Sequence, residues 1–306
     1  MVEPDSVIAI LPVHNRVEEL RTCLQALLKL HGPGLRLVVV DDGSTEDTHG
    51  VVKELEQRFT KGNDLLEYIR YDRNYGAEKA MNLALTQLYK EEDYILKIDS
   101  DTEILDPFAL KKMVDFLKGR PEIGILGPKM IVPGSKEQGG AVSWIKLLGT
   151  LRNIDKGEPS EVDLVNGGFV IIRKELYRRL KTIWSNILVR GWNELDLSER
   201  ARAVGYKTYH YPHATILHWL RTTASKGEEE HYYDLRNLLL LNWKYGSSLS
   251  KIMNFVVLLL PRLGYWFVFR THFDPSPLAA ALRDFVLLRK DYSNEFHPSR
   301  SGVAVV

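Results

Sequence analysis

One cysteine, Cys23, is all that the 306 residues contain, so an internal disulfide is impossible. The chain fits a reducing compartment, and Cys23, set in an amphipathic pattern, reads as a small core residue. Neither sign of charge is in excess. The 41 Lys and Arg stand against 40 Asp and Glu, which removes the electrostatic case for a nucleic-acid partner. Long apolar runs are missing too: the most apolar stretch, Ile252 to Phe269, is interrupted by Asn254, Pro261 and Arg262, which argues against a membrane span. MVEPDS is acidic and only the seven apolar-leaning residues Val7 to Val13 follow it, so no signal peptide is expected and the expected location is cytoplasmic. No GxGxxG follows the first strand and no GxxxxGK[ST] occurs, so a dinucleotide-dependent dehydrogenase and a P-loop phosphotransferase lose their main support.

What is present is alternation. VIAILPV (7–13) reads as a buried strand and VEELRTCLQALLKL (17–30) as a helix with Leu20, Leu24, Leu27 and Leu28 on one face, stopped by Gly32-Pro33-Gly34. RLVVVDD (36–42), LLEYIRY (65–71), YILKID (94–99) and IGILGP (123–128) repeat the strand signal. THGVVKELEQRF, the stretch Ala77 to Tyr89 and PFALKKMVDFL repeat the helix signal. Strand and helix at this spacing predict an α/β domain with a mostly parallel sheet. Residues 130–165 read mainly as loops. EVDLVNGGFVIIRKELY resumes as a strand and short helix, NELDLSERARAVGYK as a helix ended by Gly205, and YKTYHYP as a strand. After about residue 222 the texture turns helical, which predicts a catalytic domain over 1–222 and a helical extension over 223–306.

In parallel sheets ligands sit beyond the carboxyl ends of the strands. Those ends carry Pro12-Val13-His14-Asn15, Asp41-Asp42-Gly43-Ser44, Asp72-Arg73-Asn74-Tyr75-Gly76 and Asp99-Ser100-Asp101. In YILKIDSDTEIL (94–105) a buried strand runs into Asp99, Asp101 and Glu103, and acids this close repel unless a cation or hydrogen-bond donors offset them. The cluster by itself is either a solvated loop with helix-capping acids or a metal site holding an anion.

An ordered set of motifs resembles glycosyltransferase family 2, inverting enzymes of the GT-A fold that use nucleotide-diphosphate sugars, and the C-terminal YYDLRNLLLL (232–241) is similar to the tails of its rhamnosyltransferase-like members. The set is PVHN (12–15), VDDGST (40–45), RNYGAEKAMNLAL (73–85), KIDSDT (97–102), NGGFVIIRKELY (166–177), ELDLSERARAVGYK (194–207) and HATILH (213–218). The resemblance implies a nucleotide site built from Pro12, His14, Asn15, Asp41, Asp42, Asn74, Gly76, Lys79 and Asp99. In it the Asp41-Asp42 pair takes the base N3–H, and the Asn74–Gly76 turn lets the backbone approach the nucleotide. The alternative for the acidic pair is an Asx-turn at D-G-S; Lys79 is available to a phosphate or simply solvated. Asp99-Ser100-Asp101 resembles the family's DxD motif. Alternation puts both carboxylates on one side, and the resemblance gives the metal chiefly to Asp101, with His218 as second ligand. Hard oxygens plus one imidazole suit Mn²⁺ or Mg²⁺.

A catalytic base has to reach the acceptor hydroxyl. Family members commonly show Glu-Asp-x-Asp-Leu at the head of the helix that runs into RARAxGY; this chain has Asn193-Glu194-Leu195-Asp196-Leu197. Anchoring on DLxxRxxxxGY puts Glu194 at the position of the family's catalytic aspartate, with Asp196 as the alternative; both acids also complement a helix N-terminus. The expected reaction is single-displacement transfer of a hexosyl or deoxyhexosyl unit from a UDP- or dTDP-sugar to a glycan or lipid-linked acceptor. Competing readings are a non-catalytic nucleotide-sugar or glycan-binding protein and a sugar nucleotidyltransferase, the latter weakened because PVHNRVEE lacks glycine. A processive synthase would carry QxxRW, and no glutamine follows Gln138. The apolar tail (residues 250–290) is expected either to pack, including in a homodimer, or to lie on the inner face of a membrane. In the second case Lys251, Arg262 and Arg270 meet headgroups while Phe255, Trp266, Phe267 and Phe269 enter the acyl boundary.

Overall fold

The computed structural model describes residues 5–60, 64–134, 139–154, 157–219, 228–253, 256 and 276–295. Strand β1 (Ser6–Val13) leads into helix α1 (Val17–Leu27), and the alternation continues through β2 (Gly34–Asp41), α2 (Thr48–Thr60), β3 (Leu65–Arg70), α3 (Ala77–Leu88) and β4 (Tyr94–Ile98). After the short strand β5 (Thr102–Ile104) come α4 (Ala109–Leu117) and β6 (Ile123–Ile131). The remaining strands are β7 (Ala141–Ile145), β8 (Thr150–Asn153), β9 (Ser160–Glu161), β10 (Leu164–Val165), β11 (Phe169–Arg173) and β12 (Lys207–His218). The remaining named helices are α5 (Lys174–Leu180), α6 (Asn193–Ala203), α7 (Glu228–Tyr245) and α8 (Ser276–Asn294), and residues 248–253 are helical as well.

The main sheet runs β3-β2-β1-β4-β11-β6-β12-β5, with β9 also paired to β12. Its first four strands are parallel, as the βαβ spacing requires. Strand β11 then inserts antiparallel between β4 and β6, so the sheet is mixed and the fold is the α/β arrangement expected, a large central sheet flanked by helices. Period-2 alternation assigns the two faces. Val7, Ala9 and Leu11 of β1 face one core with Leu20, Leu24, Val52, Leu55 and Met113; Ile8 and Ile10 face another with Met81, Leu85, Leu176, Leu197 and Ala201. Cys23 is buried in the first core, the small packing residue that its pattern predicts.

Two segments go beyond the sequence reading. Residues 130–165, expected mainly as loops, supply a second, three-stranded sheet in the order β10-β7-β8, because Ala141, Val142, Leu164 and Val165 are buried and pair antiparallel. Strand β12 does not stop at Pro212. A register shift between Tyr211 and Thr215 absorbs the proline, and the strand resumes to His218.

By compactness the chain divides into Met1–Ser143, Asn153–Trp184 and Leu197–Arg221 on one side, and Trp144–Arg152, Ser185–Asp196 and Thr222–Val306 on the other. In the second unit α7 and α8 pack through Leu235, Leu238, Leu239, Leu278 and Ala281. Among the described residues no helix is long and apolar enough to cross a membrane. Phe255, Arg262, Trp266, Phe267, Phe269 and Arg270, named above for the tail, lie outside the described residues.

Candidate active site

Strand order places the site. β2 and β3 lie on one side of β1 and β4 on the other, so the connections diverge at the carboxyl ends of β1 and β4, where parallel sheets open a crevice. The end of β1 bends sharply: Asn15 and Arg16 are consecutive left-handed residues with φ of 58° and 61°, a conformation asparagine tolerates better than most. Asn15 accepts at Oδ1 from Thr45 N (2.8 Å), Thr45 Oγ1 (3.1 Å) and Glu46 N (3.2 Å), and its own N–H donates to Ser44 Oγ (2.8 Å). His14 Nδ1 lies 2.9 Å from Asp42 O, and Pro12 is buried in the strand. The ends of β1 and β2 are thereby locked together.

Asp41 and Asp42 are both buried. Asp41 accepts from Ser44 N (2.8 Å), Thr48 Oγ1 (2.6 Å) and Tyr68 OH. Burial would raise its carboxyl; these hydrogen bonds outweigh burial and hold it below its ordinary value. Asp42 accepts from the N–H groups of Tyr75 (2.7 Å) and Gly76 (2.9 Å), which fixes the turn after β3 against the end of β2. Asn74 caps the same turn through Gly76 N (2.9 Å), and Lys79 Nζ stands 5.3 Å from the Tyr75 ring centroid. Gly43 is required here. Its φ is +73°, and a Cβ would lie 2.5 Å from the Arg73 carbonyl carbon.

The acids at the end of β4 meet β12. His218 Nε2 lies 2.9 Å from Asp101 Oδ1 and 3.6 Å from Asp99 Oδ2, and one ligand atom from each of the three residues falls within 4.8 Å of the others. Asp99 N and Thr102 Oγ1 both donate to Gly168 O (3.0 Å each), while Trp219 N donates to Asp101 O (2.9 Å). Burial would raise the Asp101 carboxyl, but the hydrogen bond and charge of His218, together with Arg16, hold it below its ordinary value. Two carboxylates and one imidazole nitrogen form a donor set that fits Mn²⁺ or Mg²⁺. Sequence reasoning passed over two cations. Arg16 Nη1 lies 3.1 Å from Asp101 Oδ2, and Lys97 Nζ 3.1 Å from Asp99 Oδ1. Alternation put Lys97 and Asp99 on one side of β4; nothing local pointed Arg16 at a residue 85 positions away.

Asn193 is buried and belongs to the backbone, accepting from Ser185 N (2.8 Å) and donating to Leu188 O. Glu194 is half-buried, one residue into α6. Asp196 is fully buried, and its Oδ1 accepts from Tyr245 OH and Tyr292 OH (2.6 Å each), with Lys244 Nζ at 3.4 Å.

The strand ends of this α/β sheet thus bring two acids and one histidine together. The profile of glycosyl transferase family 2 matches residues 8–181, and the chain belongs to that family. It is 22% identical over 202 residues to poly-beta-1,6-N-acetyl-D-glucosamine synthase of Staphylococcus epidermidis, covering 65% of this chain and 45% of the relative. The chain spans between 25% and 45% of the length of the first curated relatives it matches. Among solved structures, GalNAc-T7 with UDP, GalNAc and Mn²⁺ superposes with a TM-score of 0.64 at 14% identity, covering 99% of this chain and 59% of that one. S. aureus TarS 1-349 in complex with UDP-GlcNAc gives 0.60 at 17% identity, covering 95% and 88%. The fold is the GT-A fold of these glycosyltransferases.

Proposed function

We propose that the protein is an inverting glycosyltransferase that moves a hexosyl or deoxyhexosyl unit from a UDP- or dTDP-sugar to a glycan or lipid-linked acceptor by a single displacement. The observation that carries this reading is the convergence of Asp99, Asp101 and His218 at the point where the strand order reverses. In it Asp101 and His218 hold Mn²⁺ or Mg²⁺ and Asp99 faces the ribose. The cation, when bound, supplies positive charge to the departing diphosphate. Pro12, His14, Asn15, Asp41 and Asp42 shape the base site; Asn74 and Gly76 offer backbone, and Lys79 a cation, to the phosphates. Glu194 takes the acceptor proton. The burial of Asp196 and the two tyrosine hydroxyls on its Oδ1 support giving the base role to Glu194.

A lipid-linked acceptor would bring the chain to the inner face of a membrane. Trp243, Leu249 and Ile252 are exposed, and the Lys251 and Arg289 cations lie 5.1 and 5.6 Å from the Trp243 ring centroid, which supports peripheral contact there. The test of the activity is a thermal-shift screen of UDP-, dTDP- and GDP-sugars with and without Mn²⁺, followed by turnover measured as nucleoside diphosphate release. A Mn²⁺-dependent rise in melting temperature with one donor, and turnover of that donor, is the expected result. Binding without turnover, with every class of acceptor offered, would make the chain a nucleotide-sugar-binding protein instead.

A further inference from the structure

The segment from Ser185 to Asp196, which delivers Glu194, is backed by the C-terminal helices to an unusual degree. Its backbone is strained: Arg190, Gly191 and Trp192 are three consecutive residues at positive φ (60°, 116° and 69°), and two of them are not glycine. Left-handed non-glycine residues are strained and persist where surrounding contacts impose them. Those contacts come from α7 and the end of α8. Arg236, almost fully buried, donates to Ile187 O (2.8 Å), and Asn237, fully buried, donates to Val189 O (2.9 Å) and Gly191 O (3.3 Å). Trp192 Nε1 donates to Asp234 Oδ1 (3.1 Å).

At the two ends of the segment α8 closes the frame. Glu295 accepts from Asn186 N (2.8 Å) and Ser185 Oγ, and Tyr292, fully buried, donates to Asp196 Oδ1 (2.6 Å) beside Tyr245 OH (2.6 Å). Lys244 sits 4.2 Å from the Tyr292 ring centroid and 3.4 Å from the same Asp196 oxygen, which offsets the charge of a carboxylate that burial would otherwise penalise. Asn193 bridges the segment to itself through Ser185 N. A strained loop, a buried carboxylate with three donors on one oxygen, and a helix end gripping both termini of one segment are more than packing requires.

We infer that Tyr245, Tyr292, Glu295 and Asp196 are positioning residues, through which the C-terminal helices set the place of Glu194 on the first turn of α6. The inference rests on Glu194 being the base. The acceptor proton moves to a Glu194 oxygen as the acceptor oxygen bonds the anomeric carbon and the bond from that carbon to the diphosphate oxygen breaks, the nucleoside diphosphate leaving with the electron pair; a displacement of about 1 Å in such a base lowers rates by up to a hundredfold. The tail is then part of the catalytic apparatus without touching substrate.

The test uses the full chain carrying Tyr245→Phe with Tyr292→Phe, Glu295→Ala and Glu295→Gln, beside Glu194→Gln as reference. UDP-N-acetylglucosamine, dTDP-glucose and GDP-mannose are offered with Mn²⁺, and kcat, donor KM, UDP affinity and hydrogen exchange of amides 185–196 are read. The expected result is a fall in kcat of about tenfold or more in the double variant and in Glu295→Ala. Donor KM and UDP affinity should stay within about twofold, exchange should quicken over 185–196 but not over 94–104, and Glu295→Gln should recover most of the loss. Unchanged exchange over 185–196, or unchanged kcat in the double variant, overturns the inference. So does a parallel loss of kcat, UDP affinity and melting temperature, which marks a purely structural role. Full activity in Glu194→Gln overturns the base assignment instead. The exchange arm needs no donor, so unchanged exchange overturns the inference even when none of the three sugars is turned over.

Discussion

His218 Nε2 lies 2.9 Å from Asp101 Oδ1 across 117 residues of sequence, because β12 pairs antiparallel with β5 in a register that sets His218 opposite Thr102. A one-residue slip would turn the imidazole to the other face of the sheet. The proposed metal site is therefore as secure as that strand register.

Removal of the metal tests the site directly. EDTA and Asp101→Ala should each abolish transfer while far-ultraviolet circular dichroism stays native, since Asp101 lies at a strand end and not in either core. Asp99→Ala should mainly weaken donor binding. Full turnover in chelator, with metal shown absent by elemental analysis, would remove the metal from the mechanism.

Gly168 gives a subtler probe. A Cβ there would stand 3.1 Å from His218 Nδ1, and the ring would have to give way by a few tenths of an ångström. Gly168→Ala should weaken Mn²⁺ affinity by about three- to tenfold, a cost of roughly 1 kcal/mol, read as free Mn²⁺ by electron paramagnetic resonance. An unchanged affinity would mean that the imidazole is not held as a ligand.

The base assignment separates two acids only two residues apart on α6, on opposite sides of the helix. Glu194→Gln keeps size and hydrogen bonding but cannot take a proton, and should lower kcat by about a hundredfold or more with donor affinity retained. Asp196→Asn should lower kcat only about tenfold, through the position of Glu194 and with UDP affinity retained, and should also lower the melting temperature, because it removes the charge that Lys244 and two hydroxyls face. The reverse pattern would give the proton transfer to Asp196.

Acid should find Asp41. Its carboxyl is held below the ordinary value in the folded chain, so the charged form is favoured by folding. That contribution is complete above the unfolded carboxylate range, near pH 4, and is lost as pH falls through the lower folded value. Asp41→Asn should thus cost about 1–3 kcal/mol at pH 7, and the gap from the parent chain in urea unfolding should narrow as pH drops below about 4. A gap constant down to pH 3 would show that the charge contributes nothing.

The patch around Trp243 predicts sedimentation with phosphatidylserine liposomes, weakened by salt and by Trp243→Ser with Ile252→Ser. A dimer in solution that ignores liposomes and dissociates in the same double variant would assign the patch to self-association.

Much of this was written in local pattern. Strict strand and helix periodicity gave β1 to β4 with their helices, and strand ends rich in Asp, Asn and Gly marked where a ligand would sit, because parallel strands leave their carboxyl ends to one side of the sheet. The DSD acids, Asn15, the Asp41-Asp42 pair and the histidine of HATILH were all singled out from that pattern and from the family's motifs. The three-stranded sheet inside residues 130–165 was hidden because its strands are two to five residues long, too short for alternation to register.

Side-chain destinations across long separations were decided only by the tertiary structure. That Arg16 points at Asp101, that Asp42 ties down the Tyr75–Gly76 backbone, and that Asp196 is the buried partner of Tyr245 and Tyr292 depend on strand order and helix docking. The sequence determined which elements form and which chemistry stands at their ends, because those follow from periodicity and residue type within a few positions. It was silent on which acid is half-buried and which is fully buried, because burial depends on what other parts of the chain are folded against it.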